Sequence, residues 1–184
     1  TPIAFVHAVL FAFARTHLRA YLDAQRDSAD VAEVRHRLAA EHAADVARGE
    51  APPPWSDATL DDAIPSIGTY ASWLMDRDRK SPGLKLLQGH IWEEAYRAGA
   101  LCGEVYDDVP GAMRRWRDAG VVVAIYSSGS VLAQRRLFES TPHGDLMPLV
   151  NRLFDTAVGA KVEAASYESI ARALGLGPRE ILFV

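Results

Sequence analysis

Residues Val121 to Phe138, VVVAIYSSGSVLAQRRLF, constrain the fold of this chain more than any other stretch. Six hydrophobic residues in a row, four of them β-branched, predict a strand over Val121–Tyr126 that is buried on both faces, as strands of parallel sheets are. The run stops at Ser127-Ser128-Gly129-Ser130, and a helical pattern starts near Ser130. The same grammar then repeats. Arg152–Val158 (RLFDTAV) reads as a strand, Glu163–Gly175 as a helix stopped by its glycine, and ILFV after Pro178 as a last strand. A helix over Val109–Asp118, closed by Gly120, precedes the series. Strands separated by helices pair in parallel through right-handed crossovers, so this half of the chain reads as part of an α/β sheet.

The first hundred residues carry a different period. Thr1-Pro2 reads as a cap with proline at the first helical position, and Val6, Val9, Leu10, Phe13 and Tyr21 then mark one helix face. A second helix is predicted over Val31–Ala47, ended by Gly49 and the prolines of APPPW, and a third over Ser66–Asp76. The fourth has Ser81 as cap, Pro82 in its first turn, Leu84, Leu87, Ile91 and Ala95 as its stripe, and Gly99 as its stop. The opening PIAFVHAVLFAFAR lacks a basic leader and is interrupted by His7. It reads as a buried helix, its apolar stretch too short for a bilayer.

Composition excludes several function classes. Across 184 residues the formal charge is −4 and the charges are dispersed, which argues against a nucleic-acid footprint. A single cysteine, Cys102, rules out an internal disulfide framework and a cysteine-rich zinc site, and suits a reducing cytoplasm. The histidines His7, His17, His36, His42 and His143 show no metal-ligand spacing with a carboxylate.

Ligands of parallel sheets collect at the carboxyl ends of strands, where Ser127 and Ser128 lie. Their hydroxyls donate hydrogen bonds, Gly129 permits close backbone approach, and the following helix offers N–H groups and a positive dipole end. Together these suit a phosphate, although a serine-rich turn before a helix also needs no ligand at all. Lys161, in VGAK after the next predicted strand, reaches the same edge, and its ammonium would neutralise phosphate charge. No Walker lysine and no Gly-x-Ser-x-Gly elbow is present. In LQGHIWEEAY, Gly89 interrupts a helix at a cost of up to about 1 kcal/mol, which asks for a reason. Trp92 is read as core, whereas Gln88 and His90 are candidates to face a ligand.

With these residues assembled, the chain resembles the acireductone synthases, the enolase-phosphatases of methionine salvage within the haloacid dehalogenase superfamily. The resemblance rests on TPIAFVHAVLF, DRDRKSPGLKLLQGHIWEEAY, IYSSGSVLAQRRLF, GDLMPLVNRLFDT and GAKVEAASYESIA. PIAFV and LQGHIW are distinctive of this family within the superfamily.

The resemblance implies a Rossmann-like parallel-sheet core with an inserted all-helical cap. It implies Mg²⁺ as cofactor and conversion of 2,3-diketo-5-methylthiopentyl 1-phosphate to acireductone by enolisation and dephosphorylation through an aspartyl-phosphate. Ser127, Ser128 and Gly129 would bind substrate, with Gln88 and His90 recognising its organic part, and Lys161 would bind phosphate and act in catalysis. The family's Asp-x-Glu-Gly-Thr nucleophile motif and its magnesium aspartate have no counterpart in residues 1–184, so both are expected before Thr1 and after Val184. The expected division is a helical cap region over 1–104 and an α/β phosphatase core over 105–184 that lacks its first strand and C-terminal end. The expected partner is a small phosphorylated substrate, with no nucleic acid and no membrane, and the expected state is a cytoplasmic monomer. Two alternatives stand beside this reading: a superfamily phosphatase for another phosphorylated metabolite, and a non-catalytic phosphate-metabolite binder.

Overall fold

A computed structural model describes all residues from Thr1 to Val184. The chain divides into two compact units, Ile3–Ala95 and a second built from Thr1–Pro2 with Tyr96–Val184.

The first unit is all helical. Helix α1 runs continuously over Ile3–Ala24 and contains a π-helical segment, Val6–Phe11. Helices α2 (Ala29–Ala47), α3 (Leu60–Asp76) and α4 (Pro82–Arg97) follow. Helix α3 packs against both α1 and α2, burying Ile64, Ile67, Tyr70, Ala71 and Leu74. The π-helical segment is anchored by Trp92, whose indole N–H donates to the Leu10 carbonyl at 2.8 Å while its ring stacks on Phe11. At 22 residues, α1 is by length and composition apolar enough to cross a membrane, which corrects the shorter stretch read from sequence. Its apolar residues nonetheless form one face of a core: Leu10, Ala14, Leu18, Tyr21 and Leu22 are buried, and Arg15 pairs with Asp76 of α3 at 2.7 Å.

Helix boundaries follow local chemistry. Ser28 caps α2 by accepting from the Val31 N–H, and Ser81 caps α4 by accepting from that of Leu84. Helix α3 starts six residues before its predicted Ser66 because Thr59 supplies a cap to the Asp62 N–H and the helix continues through Pro65. That proline lacks the N–H a helix interior requires, which is why the sequence pattern reads as a break there. Similarly, α1 begins at Ile3 rather than at Pro2.

The second unit holds α5 (Val109–Asp118), β1 (Ala124–Tyr126), α6 (Val131–Glu139), β2 (Arg152–Phe154) and α7 (Ala164–Leu174). Strands β1 and β2 are parallel with Ala124 opposite Arg152 and Tyr126 opposite Phe154. Met113, Val123, Leu137, Phe138, Leu146, Leu149, Phe154 and Ile170 form the core around them.

Both strands are shorter than predicted. Val121 and Val122 lie outside β1 and are exposed, and β2 ends where Asp155 turns the chain into a 3₁₀ segment, Thr156–Val158. Residues Ile181–Val184 form no strand, because no neighbouring backbone pairs with them. A strand requires a partner for its N–H and C=O groups, and hydrophobic patterning cannot supply one.

One buried charge ties the helical unit together. Asp45, 1% exposed, accepts from the Tyr70 hydroxyl at 2.6 Å and from Arg79 at 2.7 Å, and also pairs with Arg48. Burial pushes its pKa up, but the Tyr70 and Arg79 hydrogen bonds and the two guanidinium charges outweigh burial and hold it below the usual aspartate value. Because the folded pKa lies below the unfolded one, the stabilisation is complete above pH ~4 and is lost as pH falls through the folded pKa. Acid melting of the protein should therefore show a limb below pH ~4 that Asp45→Asn flattens. Asp45→Ala should cost about 1–3 kcal/mol by orphaning the Tyr70 hydroxyl and Arg79, measured by denaturant unfolding.

Candidate active site at the strand ends

The Ser127–Ser130 turn leaves β1 at its carboxyl end. Ser127 N–H donates to the Phe154 carbonyl at 3.0 Å, extending the parallel ladder by one residue. Gly129 N–H donates to Ser127 Oγ at 3.2 Å, and Ser130 Oγ caps α6 by accepting from the Ala133 N–H. The first amide of α6 is engaged as well, since Val131 N–H donates to Asp155 Oδ2 at 3.1 Å. The helix end is therefore less open to an anion than the sequence implied, because a carboxylate from the next strand already occupies part of it. What remains free for a ligand is the pair of N–H groups on Ser128 and Ser130, together with the exposed Ser128 hydroxyl.

Asp155 and Gln134 build this turn, and neither stood out in the sequence. Asp155 also accepts from the Ala157 N–H at 2.9 Å, so one carboxylate links the start of α6 to the segment leading toward Lys161. Gln134, 6% exposed, donates through Nε2 to the carbonyls of Gly129 at 2.8 Å and Phe154 at 2.9 Å. The signal for Gln134 was a lone amide on the helix stripe that Leu137 and Phe138 continue at three- and four-residue steps. Asp155 offered less, because a strand-terminal aspartate reads as an ordinary turn former.

Lys161 sits on a loop that is tied down through three successive carbonyls. The Tyr126 hydroxyl donates to the Gly159 carbonyl at 2.8 Å, Ser166 Oγ to that of Ala160 at 2.8 Å, and the Tyr167 hydroxyl to that of Lys161 at 2.7 Å. The exposed Lys161 ammonium lies 5.5 Å from the centre of the Tyr126 ring, within cation–π range. Tyr126 immediately precedes Ser127, so the lysine and the serine turn share one end of the β1–β2 pair.

Gln88 and His90 lie on α4, in the helical unit, and both are half-buried. His90 Nδ1 is 3.6 Å from Asp30 Oδ2 of α2. A side chain at Gly89 would meet nothing within 4 Å, so close packing does not account for this glycine. Trp92 is buried and structural, as read from sequence.

The residues present do not make a magnesium site. No three side chains among His, Cys, Asp and Glu converge on one point, and the Asp155 carboxylate is occupied by two backbone amides.

The parallel strand pair carries a serine turn at its carboxyl end, with Lys161 beside it over Tyr126. The chain belongs to the haloacid dehalogenase-like hydrolases, whose family model matches residues 6–184. Within that family its relatives are enolase-phosphatases. It is 46% identical to "Enolase-phosphatase E1" of Sorangium cellulosum, covering 100% of this chain and 74% of that one. It is 44% identical to the Synechococcus elongatus protein of the same name, covering 75% of it, and 42% identical to that of Danio rerio, covering 72%. Among solved structures, the UTR4 protein of Saccharomyces cerevisiae matches with a TM-score of 0.73 and 28% identity, covering 99% of this chain and 74% of that one.

Gly159 has φ +129°, and a Cβ there would overlap the Ser166 hydroxyl. Gly159→Ala should therefore destabilise the protein by more than about 1 kcal/mol. A melting curve checks the loss, and slowed phosphate-ester turnover should accompany it as the Lys161 loop shifts.

Proposed function

We propose that this protein is an enolase-phosphatase of methionine salvage, converting 2,3-diketo-5-methylthiopentyl 1-phosphate to acireductone by enolisation and dephosphorylation. One observation carries the reading: the free N–H groups of Ser128 and Ser130 and the Lys161 ammonium occupy one strand end in a chain related over its whole length to enolase-phosphatases. Ser127 and Ser128 bind the phosphate through their hydroxyls and the free Ser128 amide, and Gly129, whose own N–H is held by Ser127 Oγ, lets the backbone approach it closely. Lys161 neutralises its charge and stabilises the negative charge that develops as the ester bond breaks. Gln88 and His90 recognise the diketone, and the open space around Gly89 supports this, since a helix bears the cost of glycine there without any packing gain. The helical residues, 1–104 by the sequence division, act as the cap and 105–184 as the phosphatase core.

Mg²⁺ is the cofactor of this reading, and when bound it would supply charge neutralisation at a phosphate. The chain spans about three quarters of the length of the relatives it matches. The protein works as a cytoplasmic monomer on a small phosphorylated metabolite.

The test is turnover of the diketo phosphate by the whole protein. Activity should vanish with EDTA and return with Mg²⁺. Phosphate binding without any turnover would instead favour the non-catalytic binder, and turnover of other phosphate esters alone would favour a different metabolite. Lys161→Ala should lower the rate roughly a hundred- to a thousandfold at nearly unchanged melting temperature, whereas Ser127→Ala should cost about 1.5–3 kcal/mol of binding. His90→Ala should slow the diketo phosphate far more than an aryl phosphate, because only the natural substrate needs orientation and proton transfer. Equal losses on both substrates with a lowered melting temperature would make His90 a purely structural partner of Asp30.

A further inference from the structure

We propose that Gln134 is a positioning residue for the phosphate site, holding the serine turn in its anion-binding shape from beneath. This rests on the phosphatase reading of that turn. Gln134 lies on the buried face of α6 with Leu137 and Phe138, where only apolar contact would be needed if packing were its task. Instead its carboxamide spends both N–H bonds on carbonyls from two different segments, Gly129 O in the turn at 2.8 Å and Phe154 O at the end of β2 at 2.9 Å. Phe154 O accepts from Ser127 N–H as well, at 3.0 Å. One carbonyl therefore references both flanks of Ser128: directly through Ser127, and through the Gln134 amide for Gly129. Ser128, between those two fixed points, keeps its own N–H and hydroxyl unpaired and exposed.

The remaining atom of the amide argues in the same direction. Gln134 Oε1 is buried without a hydrogen-bond partner. A leucine or methionine would fill the position without stranding an oxygen there, so the two N–H donors are what the position requires. A glutamate would set a carboxylate against two carbonyl oxygens, and an asparagine is one methylene too short to span both acceptors.

The experiment uses the whole protein, with Gln134→Met and Gln134→Asn compared against Leu137→Ala. Leu137 is buried on the same helix and its side chain has no hydrogen bond to the turn, so this variant reports loss of packing alone. Inorganic phosphate is titrated while the amide resonances of Ser127–Ser130 are followed, and kcat and KM are measured for an aryl phosphate. Both Gln134 variants should weaken phosphate binding and raise KM roughly tenfold, the scale of one lost charge-oriented hydrogen bond, with a smaller change in kcat. Leu137→Ala should lower the melting temperature and leave Kd and KM within about twofold. Independently of any ligand, both Gln134 Nε2 protons should exchange slowly with solvent in the unaltered protein. Wild-type phosphate affinity in the Gln134 variants, equal weakening in Leu137→Ala, or fast exchange of either Nε2 proton would each overturn the proposal. A wild-type protein that binds no phosphate while its Nε2 protons stay protected would overturn the phosphatase reading, and with it the positioning role.

Discussion

The parallel pairing of Ala124–Tyr126 with Arg152–Phe154 is the constraint on which the candidate site depends. Side by side and pointing the same way, the two strands deliver the Ser127 turn and the Asp155 segment to one end of the sheet. Everything that shapes the site is then short-range. The Phe154 carbonyl holds Ser127 and Gln134, Asp155 holds Val131 and Ala157, and Tyr126 holds the Gly159 loop that carries Lys161. An antiparallel pair would send those two segments to opposite ends and dismantle the cluster.

The helical unit is held by a different kind of force. Its apolar stripes account for the packing of α3 on α1 and α2, but stripes alone leave helices free to slide and rotate about one another. Asp45 removes that freedom. A carboxylate buried to 1% must find its partners in a narrow range of geometries, and those partners come from the far half of α3 and the segment after it, in Tyr70 and Arg79. Trp92 acts similarly on α1, where its N–H takes a carbonyl of the π-helical segment.

Much of this was legible in the residues. Capping serines, stop glycines and apolar spacing marked α2, α4, α5 and α7 to within about two residues, because those signals act within a single turn. The position of the serine turn at the carboxyl end of β1 was also legible, because a hydrophobic run that stops at small polar residues marks a strand end. The misses share a cause. Pro65 lies inside α3 because a cap at Thr59 and tertiary packing outweigh one lost hydrogen bond. The strands end early, and Ile181–Val184 stays unpaired, because pairing depends on a neighbour and not on the strand's own residues. Asp155 and Gln134 escaped notice because their chemistry is defined only by what lies opposite them.

By itself, then, the sequence determined which segments are helical, where a strand gives way to a serine turn, and which family the chain resembles. Each of those is written in residues within a few positions of one another, or in the order of such segments along the chain. Only the tertiary structure decided that the α6 amide at Val131 is already bound to Asp155, that a buried amide clamps the turn, and that Lys161 lies over Tyr126 beside Ser127. Apart from the Gln134–Gly129 bond, those contacts join residues 20 to 35 positions apart, and their existence depends on the register of two strands. Register is set by the packing of the whole core, so it can be read only once the core has formed.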